Sequence, residues 1–271
     1  MMSKESYKMD MCNGPVLQKV IAFSLPLMLS SCLQLLFNAA DVIVVGRFAG
    51  STSLAAVGST TELLSLLTTL FIGFSIGANV NVARTLGNQD DQGTKDGIHT
   101  AVSVSILSGS AMILLGFLFG RPMLQWMGTP ADVIDKASLY LMIIFIGMPS
   151  NMAYNFGSAI LRAMGDTKRP LYFLSAAGVL NVVLNLIFVI VLHMDVAGVA
   201  LATILSETLS AVLILNCLCR TDGPCHLNIR KLYIQTDFMM KWSKIIKKKE
   251  KRGRYFFIMP RRCTSGKPRS G

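Results

Sequence analysis

The chain has 271 residues, of which 52% are hydrophobic and only 15% are charged. Because soluble domains carry about 25% charged residues, this composition favours a membrane protein. The net charge of +11 is uneven: residues 1–219 carry 11 basic and 12 acidic side chains, whereas residues 220–271 carry 15 and 3. The basic charge therefore belongs to the tail and does not indicate nucleic-acid binding by the body of the chain.

Six apolar segments follow a polar N-terminus. Each reaches or exceeds the roughly 20 residues that a helix needs to cross the hydrocarbon core. In lipid every backbone polar group must be paired within the structure, and alternating ten-residue strands are absent from the sequence, so the segments are predicted to be helices. The sequence thus predicts an all-α, polytopic membrane protein with six transmembrane helices. The predicted spans are residues 20–45, 54–83, 98–119, 133–160, 170–192 and 196–219.

The distribution of Lys and Arg predicts the orientation of these spans, because basic residues are enriched in cytoplasmic loops. If the N-terminus is cytoplasmic, eight basic residues before the tail lie inside and three lie outside, and six spans return the basic tail to the cytoplasm. We therefore expect a plasma-membrane protein with both termini cytoplasmic. Its expected parts are a polar N-terminus (1–15), a six-helix lobe (16–219) and a basic tail (220–271).

Polar residues inside the spans follow helical spacing. Gln34, Asn38 and Asp41 fall at i, i+4 and i+7 on span one, and Asn181 and Asn185 fall at i and i+4 on span five. Such residues are expensive in lipid and usually face a bundle interior or a water-filled cavity. The alternative is that the amides only hold helices together. Similar stripes occur on spans four and six: Asn151, Asn155 and Ser158, and Thr203, Glu207 and Ser210.

Asp41 has two interpretations. It either meets water at the outer end of span one or lies within the membrane. The apolar run continues through residues 42–45 and the first turn signal is Gly46, which favours a position below the surface. A bare carboxylate in that environment is costly, and a proton, Na⁺ or an organic cation would neutralise it. Glu62 and Glu207 are further carboxyl groups within spans, and the position of Glu62 near the start of span two favours solvation.

The sequence contains no G-x-x-x-x-G-K-[ST] stretch for binding nucleotide phosphates. No soluble domain is inserted between the spans either. We therefore expect an ion gradient to drive any uphill transport.

A set of segments in chain order resembles the multidrug and toxic compound extrusion (MATE) family, most closely its DinF-like bacterial members. The resemblance implies one MATE-type lobe of a cation-coupled exporter with twelve helices in two lobes that form a V. It implies a transporter rather than an enzyme, without a resident cofactor, with H⁺ or Na⁺ as coupling ion and small organic cations as substrates. The segments are GPVLQKVIAFSLPLMLS (14–30), LFNAADVIVVGRFAG (36–50), LAAVGST (54–60), GFSIGANVNVAR (73–84), AILRAMGDTKRPLYF (159–173) and GVLNVVLNLIFVI (178–190).

The resemblance also assigns roles to residues. The first-helix aspartate of the family falls on Asp41, which is then a candidate site for a proton or Na⁺. The N-x-x-x-[DN] pair of the fifth helix falls on Asn181 and Asn185, and Thr203 matches a polar residue of the sixth helix. DinF-like members often carry aspartate where this chain has Asn185. The predicted ion and substrate site comprises Asp41, Asn38, Gln34, Asn181, Asn185 and Thr203.

The chain departs from the family pattern after KWSKII (241–246), where a seventh span is expected. A basic stretch follows instead, which leads us to expect a truncated or frameshifted half of a transporter. Two copies pairing as a homodimer would restore the V, because alternating access needs two halves around one site.

Two other functions remain open. One is a flippase for lipid-linked sugars, which would need Lys and Arg to bind pyrophosphate. The other is an inactive membrane fragment or interaction partner, whose tail would bind anionic lipid at about 1 kcal/mol per basic residue.

Overall fold

The computed structural model describes residues 16–221 and 225–227. The predicted N-terminal segment and most of the predicted basic tail, including the region after residue 246, lie outside the described residues. Within them the chain forms six long helices, each long and apolar enough to cross a membrane, which confirms the predicted all-α fold. The helices are α1 (Val16–Phe48), α2 (Ser51–Gly87), α3 (Asp91–Trp126), α4 (Ile134–Ala163), α5 (Lys168–Leu186) and α6 (Asp195–Cys219).

Short turns reverse the chain between consecutive helices. Gly50, between α1 and α2, has φ +87°, and Gly165, between α4 and α5, has φ +82°. Both angles are in the left-handed region, which glycine adopts without steric cost. Because the helices alternate in direction, the turns lie at two ends of the bundle. We call them the Gly50 end and the Gly165 end.

The helices extend beyond the apolar runs of the sequence. Residues 91–97 form the first two turns of α3 although they are polar. The Asp90 side chain accepts a hydrogen bond from the backbone N–H of Gly93 at 2.8 Å, which caps the start of this helix. The helix therefore begins where a side chain caps its first backbone N–H groups. Hydropathy identifies only its apolar, membrane-spanning part.

Helix α4 is the central element, and it packs against α2, α3 and α6. Its contact with α3 depends on small residues, because a Cβ on Gly116 would collide with the Phe145 ring. Helix α5 packs between α1 and α6, and α1 itself is mostly exposed on the surface of the lobe. After Leu186 the α5 backbone widens into a π-helical turn, Ile187–Val191.

The buried apolar residues form two separate clusters. The first lies at the Gly50 end and includes Val45, Leu141 and Val199. The second lies at the Gly165 end and includes Ile98, Phe156 and Ile214. Polar side chains lie along the helices between these clusters, and we call them the polar layer. Its members are Asp41, Asn151, Asn155, Asn181, Asn185, Thr203 and Glu207.

Candidate functional site

The candidate site is centred on Asp41, in the last two turns of α1. Its side chain is half-buried against α5. The side-chain amide of Asn185 donates a hydrogen bond to the Asp41 carboxylate at 2.5 Å. This hydrogen bond joins α1 to α5. Because the donor is neutral, it does not cancel the negative charge of the Asp41 carboxylate.

The donor belongs to a chain of hydrogen bonds that ends on α6. The Asn185 amide also donates to the side-chain oxygen of Asn181 at 3.2 Å, one turn away on α5. The Asn181 amide in turn donates to the Thr203 hydroxyl at 3.4 Å, and this hydroxyl donates to the backbone carbonyl of Val199 at 2.9 Å. Both asparagines are buried, with 5% of Asn181 and 1% of Asn185 exposed. We call this series the α5 amide chain.

The direction of the α5 amide chain follows from its last member. A backbone carbonyl can only accept, so the Thr203 hydroxyl must donate to Val199 and accept from Asn181. The Asn181 oxygen then faces Asn185, which must present its amide hydrogens to both Asn181 and Asp41. One N–H of Asn185 therefore points toward the carboxylate. The remaining donations run away from it, from Asn185 to Asn181, then to Thr203 and to the Val199 carbonyl, and each polarises the next.

The same orientation leaves one acceptor without a partner. The side-chain oxygen of Asn185 is buried and forms no hydrogen bond within the described residues. A buried polar atom without a partner costs roughly 1–3 kcal/mol. A proton donor or a small cation bound beside Asp41 would remove this cost, because the site already offers it a carboxylate and an amide oxygen.

Gln34 and Asn38 lie on the same helix as Asp41, but both are exposed on the lobe surface. The structure gives neither of them a hydrogen bond to Asp41 among the described residues. It therefore brings together four of the six predicted site residues, namely Asp41, Asn181, Asn185 and Thr203. The other two extend the polar face of α1 outward from the pair formed by Asp41 and Asn185.

Tyr140 is a neighbour that the sequence analysis did not identify. It lies on α4, is 8% exposed, and is close enough to Asp41 and Glu207 to interact electrostatically with both carboxyl groups. A single tyrosine in an apolar span carries no periodic signal. Only the packing of α4 in the centre of the lobe brings it within electrostatic range of both carboxyl groups.

Comparison with known proteins identifies relatives of this lobe. Residues 26–187 match the MatE family model. The "Probable multidrug resistance protein YpnP" of Bacillus subtilis (strain 168) is 34% identical over 202 residues, which cover 73% of this chain and 44% of YpnP. The "Probable multidrug resistance protein YoeA" of the same organism is 30% identical over 197 residues, covering 71% of this chain and 42% of YoeA.

A solved structure described as MATE in the bent conformation has the same fold. It superposes with a TM-score of 0.79 at 25% identity, over 86% of this chain and 52% of that one. The chain spans about half the length of the curated relatives it matches.

Proposed function

Because the chain belongs to the MatE family of multidrug and toxic compound extrusion proteins, we propose that its six helices form one lobe of a cation-coupled exporter. The chain is a multi-pass membrane protein whose relatives are transporters rather than enzymes. The proposed lobe, residues 16–219, exchanges H⁺ or Na⁺ for organic cations. The observation that carries this proposal is the half-buried Asp41 carboxylate beside the partnerless oxygen of Asn185.

Exchange follows from competition for one carboxylate. Asp41 is costly when it is charged and unneutralised, and a proton, Na⁺ or an organic cation each removes that cost. Only one of them occupies the site at a time, so entry of the coupling ion releases the substrate. The α5 amide chain stabilises Asp41 during the interval when neither is bound.

The substrate contacts in this proposal extend along α1. Gln34 and Asn38 are exposed on the helix that carries Asp41. Their amides supply donors and acceptors to the uncharged part of an organic cation, while Asp41 pairs with its charge. Exposed amides at one-turn spacing adapt to many ligands, which suits a transporter with several substrates.

The orientation in the plasma membrane follows the distribution of basic residues, with both termini cytoplasmic. The Gly165 end of the lobe is then cytoplasmic, and the Gly50 end faces outward. Asp41 lies closer to the Gly50 end. A cation bound there is released outward when the lobe opens on that side.

Export requires a second lobe, because alternating access moves two halves around one site. A second copy of this chain is one source of that lobe, and the exposed face of α1 supports such a pairing. Cross-linking in native membranes tests it, and we expect a dimer band. A membrane sample that yields only monomer would exclude the homodimer.

The chemistry around Asp41 favours a cation over the pyrophosphate of a lipid-linked sugar. The groups at the site are a carboxylate, amides and hydroxyls, and Glu207 adds a second negative charge nearby. A carboxylate repels phosphate, whereas it attracts an organic cation. A flippase function therefore has less support from this site.

Ethidium binding to the full chain in lipid nanodiscs tests the proposal. We expect ethidium binding to the wild type to weaken when the coupling ion is added. Separate titrations with protons and with Na⁺, each with K⁺ as the balancing ion, show which of the two competes with ethidium. Asp41→Asn should lose this competition. The matched control is Glu62→Gln, because Glu62 is an exposed carboxylate on α2 that should leave it unchanged. Equal cation sensitivity in wild type and Asp41→Asn would contradict the proposal, and no binding at all would favour an inactive fragment.

A further inference from the structure

A second carboxyl group of the polar layer, Glu207, lies on α6 one turn after Thr203. Its side chain accepts a hydrogen bond from the Asn151 amide of α4 at 2.7 Å. Among the described residues no other side chain donates to it, so it has a neutral partner and no counter-ion. Its situation resembles that of Asp41, although it lies on a different pair of helices.

The donor to Glu207 is held by a second series of hydrogen bonds, along α4. The Asn155 amide donates to the backbone carbonyl of Asn151 at 2.9 Å and to the Asn151 side-chain oxygen at 2.8 Å. Since the carbonyl can only accept, the Asn155 nitrogen must face Asn151, and the Asn151 oxygen must face Asn155. The Asn151 amide nitrogen is thereby directed at Glu207. We call this series the α4 amide chain.

The α4 amide chain continues to the Gly165 end of the lobe. The Ser158 hydroxyl donates to the backbone carbonyl of Asn155 at 3.0 Å, and the Arg162 guanidinium donates to Ser158 at 3.1 Å. Asn151, Asn155, Ser158 and Arg162 follow the helical repeat, so they form one polar stripe on one face of α4. The stripe runs from Glu207, in the middle of the lobe, to the turn that contains Gly165.

Two titratable groups face Glu207 from the helices around it. Asp41 on α1 and Tyr140 on α4 both interact with it electrostatically. Within the described part of the chain, α2 and α5 present no ionisable group to it. Glu62 and Arg84 on α2 and Tyr172 on α5 are exposed, and the basic residues of α5 lie in its first turn. Glu207 and Asp41 therefore form a pair of like charges whose repulsion is reduced when either carboxylate takes up a proton.

We propose that Glu207 is a second proton-binding group of this lobe, coupled to Asp41, and that the α4 amide chain lines the route between it and the Gly165 end. The ligand is a proton rather than Na⁺, because Asn151 presents an N–H to Glu207 while its oxygen is occupied by Asn155. The proton adds to a Glu207 oxygen and leaves by breaking the same O–H bond. This inference rests on the proposed function only for the direction in which protons move along α4.

Glu207 gives this lobe a second carboxylate on α6, whereas α5 carries an asparagine at position 185. Asn185 cannot hold a proton at neutral pH, so the pair formed by Asp41 and Asn185 binds one charge. Thr203 ends the α5 amide chain one helical turn from Glu207 on α6. Asp41 and Glu207 are therefore two members of one polar layer that can each hold a proton, which Asn185 cannot.

Infrared difference spectroscopy of the full chain in nanodiscs, titrated with acid and without any drug, tests this inference. The C=O stretch of a protonated, buried carboxyl group is resolved from that of exposed groups. We expect two titrating bands from Asp41 and Glu207 in the wild type, in addition to that of the buried Asp166 in the turn between α4 and α5. Glu207→Gln should lose one band and Asp41→Asn the other, and the band that remains should titrate at a different pH than in the wild type because its partner charge is gone.

Two further variants make the result interpretable. Glu207→Asp retains a carboxyl group and should recover a second band, which shows that the loss in Glu207→Gln is chemical and not due to misfolding. Glu62→Gln should give the wild-type spectrum. A Glu207→Gln spectrum that keeps every wild-type band would overturn the proposal, and an unchanged Glu207 band in Asp41→Asn would overturn the coupling. Neither readout involves ethidium, so a failure here is distinct from failure of the exporter proposal.

Discussion

Thr203 and Glu207 lie one turn apart on α6, and each ends a different series of hydrogen bonds. Thr203 accepts from the α5 amide chain, whose other end is Asp41, and Glu207 accepts from the α4 amide chain. Helix α6 thus connects two carboxyl groups that lie on separate helices. A change at Thr203 should therefore affect Asp41, although the two side chains do not touch.

Thr203→Val tests that connection. Valine keeps the shape of threonine but leaves the buried Asn181 amide without its acceptor, which costs about 1–3 kcal/mol. We expect a lower melting temperature in detergent and weaker ethidium binding, since the donor to Asp41 loses its support. Thr61→Val is the control, because its hydroxyl bonds only to the backbone of its own helix, at Val57. Equal effects of the two substitutions would refute a special role for Thr203.

Asn185→Asp tests the electrostatics of the pair at the centre of the site. The donor nitrogen, 2.5 Å from the Asp41 carboxylate, becomes an oxygen. Two carboxylates this close cannot both be ionised, so they share a proton. We expect the variant to hold one proton more than the wild type, shared between the two carboxyl groups. Its ethidium binding should depend more steeply on pH than that of the wild type. Isothermal titration in two buffers of different ionisation enthalpy measures the proton count. An unchanged count would contradict the prediction.

Gly116→Ala tests the close contact between α3 and α4. The added Cβ would collide with Phe145 near its own Cβ, where the side chain cannot move aside without moving the helix. Overpacking of this kind costs about 1–3 kcal/mol, and thermal unfolding in detergent should detect it. The matched control is Gly73→Ala on α2, since nothing described lies within 4 Å of its added Cβ. That substitution should stabilise the helix by up to about 1 kcal/mol.

The number and class of the helices followed from the sequence because six apolar runs each exceed the thickness of a bilayer. The one-turn spacing of Asn181 and Asn185 likewise placed both side chains on one face of α5. These features depend on residues that are close in the chain. Hydropathy and helical period report them directly.

The partners of these residues did not follow from the sequence. Asp41 and Asn185 are 144 positions apart, and their contact depends on how α1 packs against α5. Gln34 and Asn38 share the helix face with Asp41, yet they lie beyond the contact between Asp41 and Asn185 and remain exposed. The π-helical turn after Leu186 has an apolar sequence, IFVIV, that differs in no visible way from α-helix. In each case packing between helices decides the outcome.

The last prediction concerns Asp166, in the turn between α4 and α5 and outside the spans. Its carboxylate is 2% exposed, accepts the backbone N–H of Arg169 at 3.1 Å and pairs with the Arg169 guanidinium at 3.2 Å. Burial raises the pKa of Asp166 above its ordinary value of 3.8, against the opposing effect of Arg169 and Lys168. The folded chain therefore binds this proton more tightly than the unfolded chain does.

The sign of the pH effect follows from linkage. Below pH 3.8 both states are protonated, so Asp166 has no effect on the pH dependence. Between that pH and the raised pKa of the folded state, unfolding releases a proton, and stability falls as the pH rises. Asp166→Asn keeps an oxygen acceptor for Arg169 but cannot ionise. The melting temperature of Asp166→Asn minus that of the wild type should therefore increase as the pH rises through this window.

Melting temperatures of the two proteins in detergent, from about pH 4 to about pH 8, measure this difference. Arg169→Gln provides the companion variant. It removes a cation that lowers the pKa of Asp166, so the window in which stability falls should extend to higher pH. A difference between wild type and Asp166→Asn that is constant with pH, or that shrinks as the pH rises, would show that burial does not dominate at Asp166.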